Sequence, residues 1–261
     1  MQKVNYYRLS GYGIGLKKHG NPENFFDNFT IEDLFKLYCF DSQFKNNLMI
    51  TIEQIEIELR TQIAYHIANK YGPDGLMHEE NFIYKKNKQG KSIYNIVIEN
   101  LDKEIRRQKN KPFVKHHINN YGSNFPIWVS VELMSFGTLS SLFSILKRED
   151  QNAVSKYYNT TPKFLKNWIL CLVEVRNICA HYTRLYNMPL KSNPLLYTEN
   201  KKYIGKQNKV FPVLLIIKRL LNSNEQWDSL LRDLKITFKK YDGYFNFSFM
   251  GFPKNWKEIL E

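Results

Sequence analysis

Acidic residues are scarce in this chain: 25 Asp and Glu stand against 38 Lys and Arg in 261 residues, a net charge of +13. That balance disfavours basic partners and suits a polyanion. Lys, Asn, Ile and Tyr are abundant together, as they are in proteins of AT-rich genomes, so charge alone names no partner. Cysteine is nearly absent. Cys39, Cys171 and Cys179 cannot build a paired framework, and each lies in an apolar stretch. They read as reduced core residues, which suits the cytoplasm. No run of about 18 apolar residues is present, so no membrane span is expected. Met1 leads straight into polar and aromatic sequence, unlike a secretory leader. His116-His117 has no Cys or carboxylate partners at ligand spacing, so neither a metal site nor any other cofactor is expected. Alternating strand patterns are too short to found a sheet, and there is no internal repeat or low-complexity linker.

Helical periodicity is what the chain has instead. Between Phe44 and Lys70, Leu48, Ile52, Ile55, Leu59, Ile63 and Ile67 recur at steps of three and four, and Tyr71-Gly72-Pro73 stops the pattern. Ser92–Arg107 repeats it. Pro126–Leu146 is the most apolar segment and is predicted to be one central helix, with Gly137 allowing close packing. Thr161-Pro162 is a start signal for a helix through Phe164, Leu165, Trp168, Leu172 and Val175. Val210–Leu221 and Glu225–Tyr241 complete the set. Two looser stretches separate them: Tyr84–Ser92 with four lysines, and Asn187–Lys209 with five. The expectation is one all-α domain over residues 1–261, with basic loops.

The run Arg176-Asn177-Ile178-Cys179-Ala180-His181 carries the chemistry. Arginine holds a phosphate as a fixed, always-charged fork. Histidine moves a proton near neutral pH. Together they are minimal equipment for cutting RNA without a metal, with Asn177 free to position the phosphate or His181. In a continuous helix the two side chains point about 140° apart. They meet on one phosphate only if the helix ends between them or a second copy completes the site. A homodimer with both motifs near its twofold axis is the economical expectation.

Other residues are candidates for support. Arg60-Thr-Gln-Ile-Ala-Tyr-His66 repeats the Arg-to-His pattern, but its two ends point about 120° apart in a helix interior and no Asn, Asp or His follows the arginine. Arg60 and His66 are therefore expected to pack or to help bind RNA. Glu132, among Trp128, Val131, Leu133 and Phe136, needs a partner. Either it forms a buried pair that holds two helices in register, or it orients Arg176 or His181. Tyr182 and Arg184 follow the motif; stacking and phosphate contacts would suit a single RNA strand, and core packing by Leu185 and Tyr186 is the equal alternative. Lys85 and Lys86, with Arg106, Arg107, Lys109 and Lys111, form the basic clusters most specific for RNA, although charge runs are usually solvated.

The Arg-Asn-x-x-x-His pattern resembles the signature of the HEPN ribonuclease superfamily, and the longer run to Asn187 resembles the Abi-like (abortive infection) family of bacterial phage defence. Further blocks carry the resemblance in order: Asn5-Tyr-Tyr-Arg-Leu-Ser-Gly-Tyr12, Glu53–Gly75, Pro126–Leu139, and Met250-Gly-Phe-Pro253 followed by Trp256. Family members often carry a further stretch before the first block, which leaves the N-terminal edge of the fold open. The resemblance implies a HEPN-like helical bundle, a dimer that pools its motifs, and a metal-independent endoribonuclease of abortive-infection or toxin–antitoxin type. Some relatives adjoin a small structured non-coding RNA, so capture of RNA without cutting is the alternative. Transfer of nucleotides onto a residue such as Tyr182 is a third.

Overall fold

The computed structural model describes residues 4–13, 30–203 and 208–261. Among them the fold is all-α: beyond short 3-10 turns and two isolated bridges there is no strand. The opening helix is α1 (Tyr6–Ser10) and the longest is α2 (Ile31–Tyr71). Then come α3 (Ile93–Arg107), α4 (Pro112–Asn120), α5 (Ile127–Leu133), α6 (Phe136–Ile145), α7 (Arg148–Tyr157), α8 (Pro162–Ala180), α9 (Phe211–Leu220), α10 (Asn224–Lys240) and α11 (Trp256–Leu260).

Local chemistry sets the ends. Thr30 and Asp33 cap α2 reciprocally: the Thr30 hydroxyl accepts from the Asp33 amide at 3.2 Å, and Asp33 accepts from the Thr30 amide at 2.7 Å. At the other end Gly72 takes the left-handed conformation, φ +84°, and Pro73 follows. Ser92 caps α3 through the Asn95 amide. The apolar segment Pro126–Leu146 is two helices rather than the one expected. Met134 is extended, and Ser135 accepts from the Thr138 amide at 3.1 Å to start α6. Gly137 is not needed for close packing, since a Cβ there would meet its nearest neighbours at ordinary contact distances, 3.8 and 3.9 Å.

The chain forms two compact units, Gln54–Val173 and the remainder, Met1–Glu53 with Glu174–Glu261. Their boundaries fall inside α2 and α8. In the unit of Gln54–Val173, α3 packs on α5 and α6. Its core holds Ile55, Leu59, Ile63, Val97, Leu139, Leu142 and Trp168. The stretch Tyr84–Ser92 is ordered here rather than loose: Lys85 O accepts from the Ile93 amide at 2.8 Å, Lys91 O from the Asn87 amide at 2.9 Å.

The other unit buries much of the chain's aromatic content. Phe40 stacks on Phe245 at 4.0 Å, and Phe238 packs edge-on against Trp256, Phe247 and Phe252. Its long connection is pinned: Glu174 accepts from the amides of Lys191 (2.6 Å) and Ser192 (2.8 Å), and Leu190 donates to Asn208 at 2.6 Å. Lys206, one of the five lysines there, lies outside the described residues.

Candidate active site

Helix α8 stops inside the motif. Ala180 is its last residue, and His181 still donates its amide to Asn177 O at 3.0 Å. Tyr182 then turns left-handed at φ +55°. Its amide bonds Cys179 O at 3.2 Å and the Thr183 amide bonds Ile178 O at 3.0 Å, which is the Schellman termination normally built around glycine. Winding therefore persists through His181. Asn177 and His181, one turn apart, share a face, and both are exposed, whereas Arg176 is half-buried. Within one chain the arginine is set round the helix from the histidine.

The chain leaving the motif is clamped by charged side chains from earlier in the sequence. Arg8 of α1 donates to Tyr182 O at 2.8 Å, and Lys45 of α2 donates to Thr183 O at 2.9 Å. Asp41, fully buried, accepts from the Tyr186 amide at 2.7 Å and the Leu185 amide at 3.2 Å. It also accepts the Tyr12 hydroxyl at 2.6 Å and pairs with Lys45 at 3.0 Å. Burial, reinforced by the Asp41 charge, holds the Tyr12 phenol well above its ordinary pKa. Arg184 donates to Gly11 O and to Met188 Sδ. Leu185 and Tyr186 are core residues. Burial pushes the Cys179 thiol up to about 12, so it stays protonated and is no nucleophile at neutral pH.

Two sequence blocks far apart, Asn5–Tyr12 and Arg176–Asn187, thus meet around Asp41. A family model described as Abi-like protein matches residues 1–187. The chain belongs to the Abi-like family. Its abortive-infection character points to phage defence. No curated protein and no solved structure matches the chain. The match takes in four of the five blocks; Met250–Pro253 and Trp256 lie beyond it.

The remaining candidates of this Abi-like chain divide clearly. Arg60 is 8% exposed; its guanidinium donates to Glu56 and to Val131 O. His66 Nε2 bonds the buried Asp150 at 2.8 Å, beside Lys70 (2.6 Å) and the Tyr71 hydroxyl (2.8 Å). The two ends of that second Arg-to-His pattern therefore sit in separate networks, each tying α2 to a neighbour. Glu132 corrects an expectation: it is exposed, not a buried pair. It lines a shallow groove with Trp128, Tyr65, Ala64 and Ala68. Trp128 and Glu132 are one turn apart on the outer side of α5, while Ile127, Ser130 and Val131 face inward.

Among the basic residues, Lys86, Arg106, Lys109 and Lys111 are exposed, and Arg107 is an exposed partner of Glu104 at 3.2 Å. Lys85 differs. It is half-buried near Lys166, whose pKa is pushed down to about 8 by burial and then by the neighbouring Lys85 charge. Arg8, Asp41, Lys45 and Lys166 were not singled out from sequence. Asp41 had a signal: it lies on the α2 core stripe, between Leu37 and Phe44, where a carboxylate requires partners. Among the described residues no group of three or more His, Cys, Asp or Glu comes together as a metal site, and no helix is long and apolar enough to cross a membrane.

Proposed function

We propose that this Abi-like protein is a metal-independent endoribonuclease of phage defence, of the HEPN type, cutting RNA with Arg176, Asn177 and His181. The observation that carries the reading is the placement of Asn177 and His181 together on an exposed helix end whose exit is fixed by Arg8, Asp41 and Lys45. A preorganised helix end with a proton-transfer group is what in-line cleavage needs. Asn177 hydrogen-bonds a phosphoryl oxygen or His181. The attacking atom is the RNA's own 2′-oxygen. It bonds phosphorus while the bond to the 5′-oxygen breaks. His181 serves as general acid or base, moving a proton between the 2′-hydroxyl, the 5′-oxygen and water. The products are a 2′,3′-cyclic phosphate and a 5′-hydroxyl. Arg176 steadies the charge that builds on the phosphoryl oxygens.

Because winding continues through His181, the Arg176 that serves one His181 comes from a second copy in a homodimer. The exposed Lys86, Arg106, Arg107, Lys109 and Lys111 supply phosphate contacts. Expression of the wild-type chain and of the Arg176→Ala and His181→Ala variants tests the assignment. Growth arrest and RNA cutting should vanish with either substitution while RNA binding persists. Cutting that survives both substitutions but disappears with Arg60→Ala or His66→Ala would move the site to the second pattern. Binding without any cutting would leave the chain as a module that captures a structured RNA.

A further inference from the structure

From Ile105 to Val131 the chain contains no aspartate or glutamate, yet it carries Arg106, Arg107, Lys109, Lys111 and Lys115. At the middle of this run lies α4. Val114 is buried and Ile118 half-buried, so the opposite arc of the helix, with Lys115, His116, Asn119 and Asn120, faces water. Rings gather at its C-terminal end. The centroids of His116 and His117 each lie 5.4 Å from Tyr121, and His117 stacks on the buried Phe125 at 5.4 Å. Tyr121 is 58% exposed but not loose. Its amide bonds His117 O at 3.1 Å, and its carbonyl accepts from the Asn124 amide at 2.9 Å. Gly122 and Ser123 turn the chain away with φ of 58° and 65°. Asn120 Nδ2 donates to His116 Nδ1 at 2.9 Å, in the tautomer that leaves His116 Nε2–H as an outward donor.

Exposed cations on an acid-free stretch of chain, beside an exposed ring whose backbone is hydrogen-bonded on both sides, are the chemistry that binds a single nucleic-acid strand: cations follow the phosphates and a base stacks on the ring. We propose that the outward face of α4 and the turn after it, with Lys111, Lys115, His116, Asn120 and Tyr121, is a docking surface for an unpaired stretch of RNA. The choice of RNA rests on the nuclease reading above. Lysines contribute to any strand, whereas the rings favour unpaired bases, because a duplex hides its base faces.

Fluorescence anisotropy on the full chain carrying His181→Ala tests this, using a short labelled RNA free of secondary structure and the same strand annealed to its complement. Lys111→Ala with Lys115→Ala should weaken both and flatten the salt dependence. His116→Ala with Tyr121→Ala should weaken the single strand by about fivefold or more and spare the duplex. Tyr121→Phe, which keeps the ring, should retain affinity. Should Tyr121→Ala unfold the chain in a thermal melt, His116→Ala alone carries the comparison, since that side chain is exposed. Unchanged single-strand affinity in the ring variants, or equal losses on both RNAs, overturns the proposal. Cutting of the same strand by wild type is read separately on a gel. Ring-dependent affinity without cutting removes the nuclease reading and leaves this surface standing; cutting without ring-dependent affinity does the reverse.

Discussion

The carboxylate of Asp41 accepts a hydrogen bond of 2.7 Å from the backbone amide of Tyr186, a residue 145 positions later. One side chain of α2 thereby fixes the strand of chain that leaves the candidate site, and does so fully buried. Removing it takes the carboxylate partner from the buried Lys45 ammonium and leaves the Tyr12 hydroxyl and two amides without their acceptor. Asp41→Ala is expected to cost about 3–5 kcal/mol, the range for breaking a buried charged network. Urea unfolding measures it. A loss below about 1 kcal/mol would mean that the clamp is not what holds this loop.

Tyr182 sits in a backbone conformation that glycine adopts freely, and its ring is 70% exposed. Folding alone gains little from a tyrosine there. Tyr182→Gly should raise stability by about 1 kcal/mol by relieving the left-handed strain. If the ring contacts RNA beside His181, the same change lowers cutting. Higher stability with full activity would assign Tyr182 no part in the reaction.

Much of this architecture is legible in the sequence. Periodicity located α3, α8, α9, α10 and the part of α2 from Phe44 onward because each presents one apolar stripe to a core, while α2 itself begins earlier, at Ile31. Periodicity failed at Met134-Ser135, where a serine cap lies within the most apolar segment of the chain. The helices α4 and α7 show no apolar stripe, because α4 buries only Val114 and α7 buries Asp150, Gln151 and Ser155 beside Val154. Glu132 was expected to be buried because its neighbours are apolar, but the short α5 turns Trp128 and Glu132 outward together. The Arg-to-His motif was visible as spacing. What was not visible is that α1 and Asp41 clamp its exit, since hydrogen bonds between side chains and distant backbone leave no periodic trace.

Lys166 gives a pH signature. Its folded pKa of about 8 lies below the ordinary lysine value of 10.5, because of burial first and Lys85 second. Between those two values the unfolded chain binds more protons than the folded one, so this group makes stability rise with pH. Below the window both states are protonated and the full penalty applies. Lys166→Met should therefore stabilise the chain near pH 7 and lose that advantage as pH climbs through the window. Melting wild type and variant side by side isolates the effect from Cys179 and the buried tyrosines, which act in the opposite direction. A constant difference across the window would contradict it.

A shared site also makes a mixing experiment informative. Arg176→Ala and His181→Ala chains are each expected to be inactive. Co-expressed, they form mixed dimers in which one of the two sites is intact. Recovery to about a quarter of wild-type cutting is the expected outcome for random pairing in a twofold dimer. No recovery from chains that do pair would place both residues of a site in one copy.

The most direct measurement is the chemistry of the cut ends. Purified chain is incubated with RNA in EDTA, and the fragments are analysed by mass. The expected result is cutting undiminished by EDTA, with 2′,3′-cyclic phosphate and 5′-hydroxyl ends, absent in His181→Ala and absent when DNA replaces RNA. Cutting abolished by EDTA, or fragments bearing 5′-phosphates, would contradict the account.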